Sequence, residues 1–336
     1  MDTLVSNQIR KQELIEIFEK NYQVISPLWS NHQLEWINGV YEVYKDHDKF
    51  LIVIYLINKT FIFYSKNFIK LTFAEFFEKE SIEIDTFNVM EISKALNIPK
   101  ESARRKINEL VKSGAINKTG KKIILDKSLF PFVRPDKSII RVSRFLSNLS
   151  HILYDEKILT EGMDTNRILV FIQKNFSFIW KLYYDVQIPM LLNWKFFFKD
   201  IEIFHIWAAC LVNQKLNSKK EANIKVNRVK YIEKLFINEK NGINAMSISD
   251  ITGIPRATVI RKLNILIKKK YLKINNRKHY TIAIEHRKKL YTIQKINFAN
   301  LAEFTSRIFN LFVTEQLELK EKYEKVPFGA RKYLTS

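Results

Sequence analysis

Three polar side chains suited to binding nucleic-acid bases and phosphates occur in the same arrangement at two places in this chain. The first set is Arg105, Asn108 and Lys112, and the second, 156 residues later, is Arg261, Asn264 and Lys268. Intervals of three and four residues place each set on one face of a helix. Arginine can donate two hydrogen bonds to guanine, asparagine can bond in a similar bidentate way to adenine, and lysine can neutralise a phosphate. The pattern indicates two copies of a surface for double-stranded DNA.

Both sets lie inside a longer internal repeat. Residues 90–112, MEISKALNIPKESARRKINELVK, align without a gap with residues 246–268, MSISDITGIPRATVIRKLNILIK, and ten of the 23 aligned positions are identical. A repeat of this length indicates an internal duplication. Solvated positions drift freely between duplicated segments, so the identical arginine, asparagine and lysine suggest that both copies keep one task.

Each copy is predicted to be a helix, a tight turn and a second helix. In the first copy, Glu91 to Leu96 is a short helix, and Asn97-Ile98-Pro99 ends it because the residue before a proline is disfavoured in the helical conformation. Pro99 then suits the start of the next helix, where its missing N–H is not needed. The second helix has apolar residues at the spacing of one buried face: Ala103, Ile107 and Leu110, matched by Val259, Leu263 and Leu266.

A β-hairpin is predicted after each second helix. Apolar runs at 116–119 and 123–125 flank Gly120-Lys121 in the first copy. The corresponding runs in the second copy are 271–274 and 280–284, around Asn276-Arg277. Short apolar runs around a polar tip are typical of paired strands. Each copy therefore has the pattern of a helix-turn-helix followed by a two-stranded wing.

The duplication extends weakly beyond these motifs. Lys45-Asp46 is echoed by Lys199-Asp200 at an offset of 154, and FLSNLSHILYDE (145–156) by FTSRIFNLFVTE (304–315) at an offset of 159. With only 7 glycines and 7 prolines in 336 residues, the composition favours helices. We predict a mainly α protein with small β-wings, in which tandem winged helix-turn-helix domains are joined by long apolar helices.

The predicted domains are the two repeats. The first covers residues 1–160, with its winged helix-turn-helix at about 72–127, and the second covers residues 161–336, with its own at about 228–285. Four long apolar helices are expected to pack the halves together in a pseudo-two-fold relation, at about 34–64, 138–155, 165–213 and 296–320.

Positive charge is concentrated in the two repeats. The net charge is +21, of which residues 99–122 carry +6 and residues 255–278 carry +9. The abundance of Lys, Asn, Ile and Phe is typical of an AT-rich genome, but compositional drift would spread the excess charge evenly. A concentrated basic charge favours a polyanionic partner.

Further side chains are predicted to contact DNA together with the two sets named above. Ser102 and Thr258, at the helix starts, suit phosphate oxygens. The remaining candidates, on the second helices and the wings, are Lys100, Arg104, Lys121, Lys122, Arg256, Arg277 and Lys278. The copies also differ, because Glu101 and Arg104 are replaced by Ala257 and Ile260. We therefore expect the two domains to read different half-sites.

No pattern of catalytic, metal-binding or cofactor-binding residues is found, and we expect no enzymatic activity, metal or cofactor. GAINKTGKK (114–122) has the wrong spacing for a phosphate-binding loop and lies in a predicted wing. The single cysteine, Cys210, lies in an apolar run, is expected to be buried, and fits a reducing cytosol. The N-terminal residues lack the apolar core of a signal peptide, and the most apolar stretch, FLIVIYLI (50–57), is too short to cross a membrane.

Residues 96–116, LNIPKESARRKINELVKSGAI, and 253–272, GIPRATVIRKLNILIKKKYL, resemble the winged helix-turn-helix of bacterial transcription regulators of the MarR and IclR types. The resemblance covers about a quarter of the chain. It implies binding of specific duplex DNA sequences through the second helix. Those regulators usually carry one such unit per subunit and dimerise, whereas this chain carries two.

These observations predict a cytoplasmic, nucleoid-associated transcription regulator that binds double-stranded DNA without membrane association. The long apolar helices would also allow a homodimer. Two alternatives remain open at this point. A plasmid-type replication initiator can also carry two winged helices, and a protein-interaction scaffold could use winged helices to bind protein; the concentrated basic charge disfavours the scaffold.

Overall fold

In the computed structural model of the chain, the described residues are 8–79, 81–84, 88–119, 122–126, 134–220, 228–237 and 241–324. This part of the chain is mainly helical, as predicted, with five short strands. In the first half the helices are α1 Lys11–Lys20, α2 Tyr22–Tyr44, α3 His47–Lys66, α4 Phe73–Glu78, α5 Val89–Leu96, α6 Lys100–Lys112 and α7 Asp136–Asp155. In the second half they are α8 Thr165–Lys174, α9 Phe176–Phe198, α10 Ile201–Lys220, α11 Arg228–Ile237, α12 Ala245–Thr252, α13 Arg256–Lys268 and α14 Arg287–Glu324. Within these ranges, no helix combines the length and the apolar character needed to cross a membrane.

The strands form two small antiparallel sheets. In the first half, β3 (Lys122–Asp126) lies between β1 (Ser81–Ile84) and β2 (Asn117–Thr119). In the second half, β4 (Leu272–Ile274) pairs with β5 (Tyr280–Ile282). The predicted strand pairs are therefore present in both halves, and Gly120-Lys121 between β2 and β3 lies outside the described residues.

The duplication reaches much further towards the N-terminus of each half than the sequence identity indicates. Helices α1, α2 and α3 contain 10, 23 and 20 residues, and α8, α9 and α10 contain the same numbers. Each helix of the second set begins 154 residues after its counterpart. The junctions repeat as well, because the side-chain amides of Asn21 and Asn175 each donate to the carbonyl four residues earlier, at 3.1 Å.

The predicted continuous helices at 34–64 and 165–213 are wrong, because the chain bends inside both ranges. Lys45 and Lys199 adopt left-handed conformations, with φ of 50° and 64°, and end α2 and α9. Asp46 then accepts hydrogen bonds from the backbone N–H groups of Asp48 and Lys49, so α3 starts afresh. Asp200 accepts from the N–H of Glu202 at the start of α10. The predicted helices at 138–155 and 296–320 lie within α7 and α14.

Helices of the two halves pack reciprocally. Helix α2 packs on α10, and its counterpart α9 packs on α3; likewise α1 packs on α14 and α8 packs on α7. Such exchange of equivalent contacts is what a two-fold relation between the halves requires. The buried core is continuous across the predicted boundary near residue 160, with Leu153 and Phe171 in one cluster that also includes Cys210. The division into two domains stays a prediction.

In each half, the repeated pair of helices and the sheet that follows it pack on the third helix of that half. We call α5, α6 and the β1–β3–β2 sheet the first head, and α12, α13 and the β4–β5 sheet the second head. Helix α3 packs against α5, α6 and β1, and α10 packs against α12, α13 and β5. Ile243 bridges Tyr280 of β5 through two backbone hydrogen bonds, at the edge where β1 pairs in the first head.

Candidate nucleic-acid interface

The turn between the two helices has the same geometry in both heads. Asn97 and Gly253 end the first helix in the left-handed conformation, which asparagine and glycine adopt most readily. The hydroxyl of Ser93 donates to the carbonyl of Ile98 at 2.7 Å, and Ser249 donates to Ile254 at the same distance. The following prolines, at 99 and 255, agree within 1° in both φ and ψ. The predicted break at Asn97-Ile98-Pro99 is confirmed.

The apolar face predicted for the second helix is also confirmed. Ala103, Ile107 and Leu110 on α6 are at most 2% exposed. Their counterparts on α13, Val259, Leu263 and Leu266, are fully buried. The face opposite to these residues is therefore the one that meets solvent.

Lys106 of the first head and Lys262 of the second occupy equivalent positions and are basic. Each of them nevertheless binds an acidic residue at the start of the helix that carries its head. The ammonium of Lys106 donates to a carboxylate oxygen of Asp46, and that of Lys262 donates to Asp200 in the same way. Both lysines are more than nine-tenths buried. Although burial disfavours ionisation of Asp46, the hydrogen bonds from Lys106 and two backbone N–H groups lower the pKa of this carboxyl. Each pair fastens the second helix of a head to the start of the helix that carries it.

Replacing Asp46 by alanine is expected to lower the free energy of unfolding by about 3–5 kcal/mol, because it removes the helix cap and leaves Lys106 without its closest carboxylate. Asp48 lies 3.9 Å from Lys106 and is already paired with Lys195. Lys106→Met is the matched control and is expected to cost far less, since Asp46 remains partly exposed and keeps its backbone donors. Urea denaturation of both variants measures the difference; equal losses would contradict this assignment.

The identical positions of the repeat divide into two groups. Six of the ten identical positions have a structural role, which is burial, turn formation, helix initiation or anchoring of a head. These positions are Ile92, Ser93, Ile98, Pro99, Lys106, Leu110 and their counterparts in the second head. The other four are exposed in both heads: Met90, Arg105, Asn108 and Lys112, with Met246, Arg261, Asn264 and Lys268. Internal contacts within the described residues give no reason for their identity.

The structure places nearly all the predicted DNA-binding side chains at the surface of the heads. Exposed side chains on the second helices are Lys100, Arg104, Arg105, Asn108, Lys112, Arg256, Arg261, Asn264 and Lys268. Ser102 and Thr258 are half-buried in the first turns of these helices. Arg277 and Lys278 are exposed in the β4–β5 turn, where Asn275 accepts hydrogen bonds from the N–H groups of Arg277 and His279. Lys122 begins β3 opposite Thr119, and Lys121 lies outside the described residues.

The two heads differ in how their positive charge is compensated. In the first head, Arg104 pairs with Glu101 at 3.1 Å and Arg105 pairs with Glu109 at 3.2 Å. Glu109 also pairs with Lys49, which lowers the pKa of its carboxyl. In the second head the position of Glu109 is Ile265, and no described residue forms an ion pair or hydrogen bond with the side chain of Arg261. The second head therefore presents the less compensated basic surface.

Sequence reasoning missed a basic extension of the second head. His286, just before α14, hydrogen-bonds to the carbonyl of Lys269 at 2.8 Å and packs its ring on Tyr271. This contact ties the end of α13 to the start of α14. It brings together the exposed residues Lys268, Lys269, Lys270, Arg287, Lys288 and Lys289. The charge runs KKK and RKK are visible in the sequence, but their proximity depends on the chain reversal through β4 and β5.

Comparison with known proteins identifies no relative. No protein-family model matches the chain, and neither a curated protein nor a solved structure shows significant similarity to it. Functional inference therefore rests on the repeat and on the geometry of the two heads.

Proposed function

We propose that this chain is a sequence-specific regulator of transcription that binds double-stranded DNA through two winged helix-turn-helix heads. The observation that carries the proposal is the exposed trio of arginine, asparagine and lysine, kept identical on α6 and α13. The buried and anchoring positions of the repeat have internal reasons for their identity, and these three do not. An external ligand common to both heads is the simplest cause.

Each element of a head has a role in this proposal. The second helix lies in the major groove, where Arg105 and Asn108, or Arg261 and Asn264, can bond to base edges. Lysines and the hydroxyls at the helix starts hold phosphates, and the wing adds contacts from Arg277 and Lys278. The protein binds DNA and converts no substrate, and it acts in the cytoplasm at the nucleoid.

The reciprocal packing of the halves supports a chain that does alone what single-headed regulators do as dimers. A chain built in this way can address two half-sites without a partner subunit. Because Glu101 and Arg104 of the first head correspond to Ala257 and Ile260 of the second, the half-sites are expected to be unequal. One chain would already bind both half-sites, so association of two such chains would lengthen the DNA site that is bound.

The test is selection of binding sequences from random duplexes by the purified full-length chain, with affinities measured across a salt series from about 50 mM to about 200 mM. We expect an enriched motif with two unequal halves and a steep loss of affinity as salt rises. Light scattering of the complex gives the number of chains per duplex. Weak, salt-insensitive binding without a motif would refute the proposal, whereas a motif iterated at a replication origin would favour an initiator over a regulator.

A further inference from the structure

A cavity lies at the seam between the two halves, between α2, α9, α10 and α14. Its volume is about 50 Å³. Since a single water needs about 10–15 Å³ by this measure, the space suits about three to five non-hydrogen atoms. Aromatic rings form much of its wall, including Trp29, Trp194, Phe204 and Trp207. Most of the remaining wall is apolar as well, but it also contains polar side chains and one charged group, Lys215.

Lys215 of α10 contributes that charge from a buried position. Its side chain is 3% exposed, and its ammonium donates to the hydroxyls of Ser26 and Ser30, both at 2.7 Å. Within the described part of the chain it has no carboxylate partner, whereas Lys106 and Lys262 each have two carboxylates within ion-pair distance. Burial, followed by repulsion from Arg228, lowers the pKa of Lys215 to about 7. An ammonium has three donors, and two serines satisfy only two of them.

Other polar groups that line the same cavity lack partners. Both side-chain amide atoms of Gln33 are buried without a hydrogen bond, and so is the carbonyl oxygen of the Asn297 side chain. The indole N–H of Trp207 is in the same condition. Buried polar groups in folded proteins are nearly always paired with protein, water or ligand. The cation and the unpaired N–H donors next to aromatic walls favour an anion with an apolar end, whereas the carbonyl oxygens of Gln33 and Asn297 need a donor and do not contribute to this preference.

We propose that this cavity binds a small carboxylate of the size of acetate or propionate. Its carboxylate accepts hydrogen bonds from Lys215, from the Gln33 amide and from the Trp207 indole, and its alkyl end contacts the aromatic wall. The ligand supplies the negative charge that no described side chain places beside Lys215.

The cavity is connected to the second head through one residue of α10. Gln214, adjacent to Lys215, accepts a hydrogen bond from the backbone N–H of Ile282 in β5 at 3.0 Å and donates to the carbonyl of Leu235. The opposite wall is α2 of the first half, through Ser26, Ser30 and Gln33. A ligand in the cavity therefore affects how tightly α2 packs against α10, the helix that carries the second head. A regulatory role for the ligand rests on the proposed DNA-binding function, whereas binding itself does not.

The test is the thermal unfolding of the full-length chain in sodium acetate or propionate, with sodium chloride at equal ionic strength as reference. We expect a saturable rise in Tm of about 3–5 °C at a hundredfold excess over Kd. Lys215→Met keeps the side-chain volume and should abolish the rise, and Gln33→Leu should weaken it. Lys181→Met is the matched control, because Lys181 pairs with Asp185 at the surface of α9, and it should respond like the wild type.

Absence of a saturable shift, or an equal shift in Lys215→Met, would overturn the proposal and leave a cavity filled by water. If Lys215→Met fails to unfold cooperatively, isothermal titration of the wild type and Gln33→Leu with acetate decides by the same criterion. DNA affinity with and without acetate separates the two hypotheses. Carboxylate binding by a chain that does not bind DNA would refute only the regulator, and DNA binding without carboxylate binding would refute only this site.

Discussion

Removing three basic side chains from α13 is expected to weaken specific DNA binding by about a thousandfold. The variant is Arg256→Ala, Arg261→Ala and Lys268→Ala combined. An arginine bidentate to guanine contributes about 1–3 kcal/mol, and each lost phosphate contact lowers the salt slope by about 0.9. Together these losses amount to about 4 kcal/mol, which is three orders of magnitude in affinity. Fluorescence anisotropy with the selected site, across a salt series, measures both quantities.

The repeat supplies a matched variant for this experiment. Lys100→Ala, Arg105→Ala and Lys112→Ala remove the residues at the equivalent positions of α6. We expect a smaller loss, about tenfold to a hundredfold, because Arg105 is already paired with Glu109 and two acidic residues reduce the local positive charge.

A second control separates local contacts from net charge. Lys137, Arg144 and Lys157 are exposed and lie on or just after α7. Their replacement by alanine removes the same three charges and is expected to leave affinity within a few-fold of the wild type. If this variant loses as much affinity as the α13 variant, binding depends on overall charge and the assignment of the heads is wrong.

Mild acid is expected to destabilise the protein strongly, because three histidines are buried in neutral form. His32, His47 and His205 are each at most 6% exposed. Burial, assisted by Arg141, lowers the pKa of His32 to about 3. Burial lowers the pKa of His47 to about 4, although Asp200, Asp46 and Asp48 oppose the change. The pKa of His205 also lies well below its usual value, through burial and then through His47.

Hydrogen bonds between the halves depend on these neutral rings. Nε2 of His47 lies 3.1 Å from Nδ1 of His205, and Nε2 of His205 lies 2.6 Å from the side-chain oxygen of Asn38. In the neutral arrangement each Nε2–H donates to the next acceptor. A proton added at Nδ1 of His205 would face the donor of His47. Acid therefore opposes the contact between α3 and α10 directly.

Linkage between proton binding and folding makes the free energy of unfolding fall as the pH falls. The unfolded chain binds protons near pH 6.5 and the folded chain does so only near pH 4 or below, so stability is present above pH 6.5 and is lost as the pH falls towards the folded-state pKa values. Between about pH 7.5 and about pH 5, each of the three histidines lowers the free energy of unfolding by about 2 kcal/mol, which makes about 6 kcal/mol in total. This is comparable to the whole stability of an ordinary domain.

Urea denaturation at the two pH values tests this expectation. His47→Gln should remove about a third of the acid loss, and His151→Gln, which replaces an exposed histidine on α7, should keep all of it. Equal stability of the wild type at both pH values would show that the buried histidines do not control the acid response.

Signals between residues that are close in the sequence account for the parts of the heads that could be predicted without the tertiary structure. The buried face of α6 follows from apolar residues at helical spacing, and its start follows from Pro99. The turn follows from Asn97 and Gly253, and the hairpins from short apolar runs around polar tips. All these signals act between residues that are neighbours in the chain. They could be read without knowing where the rest of the molecule lies.

The tertiary structure alone decided which basic residues face solvent and which bind the helices that carry the heads. Lys106 is 60 residues from Asp46 and Lys262 is 62 residues from Asp200, so their pairing depends on how α3 and α10 pack against the heads. The reciprocal exchange of helices between the halves is likewise set by packing across the seam, and so is the position of the Lys215 ammonium, which bonds to two serines and to no described carboxylate. The free energy of a buried charge depends on surroundings drawn from distant segments, and periodicity along the chain does not contain that information.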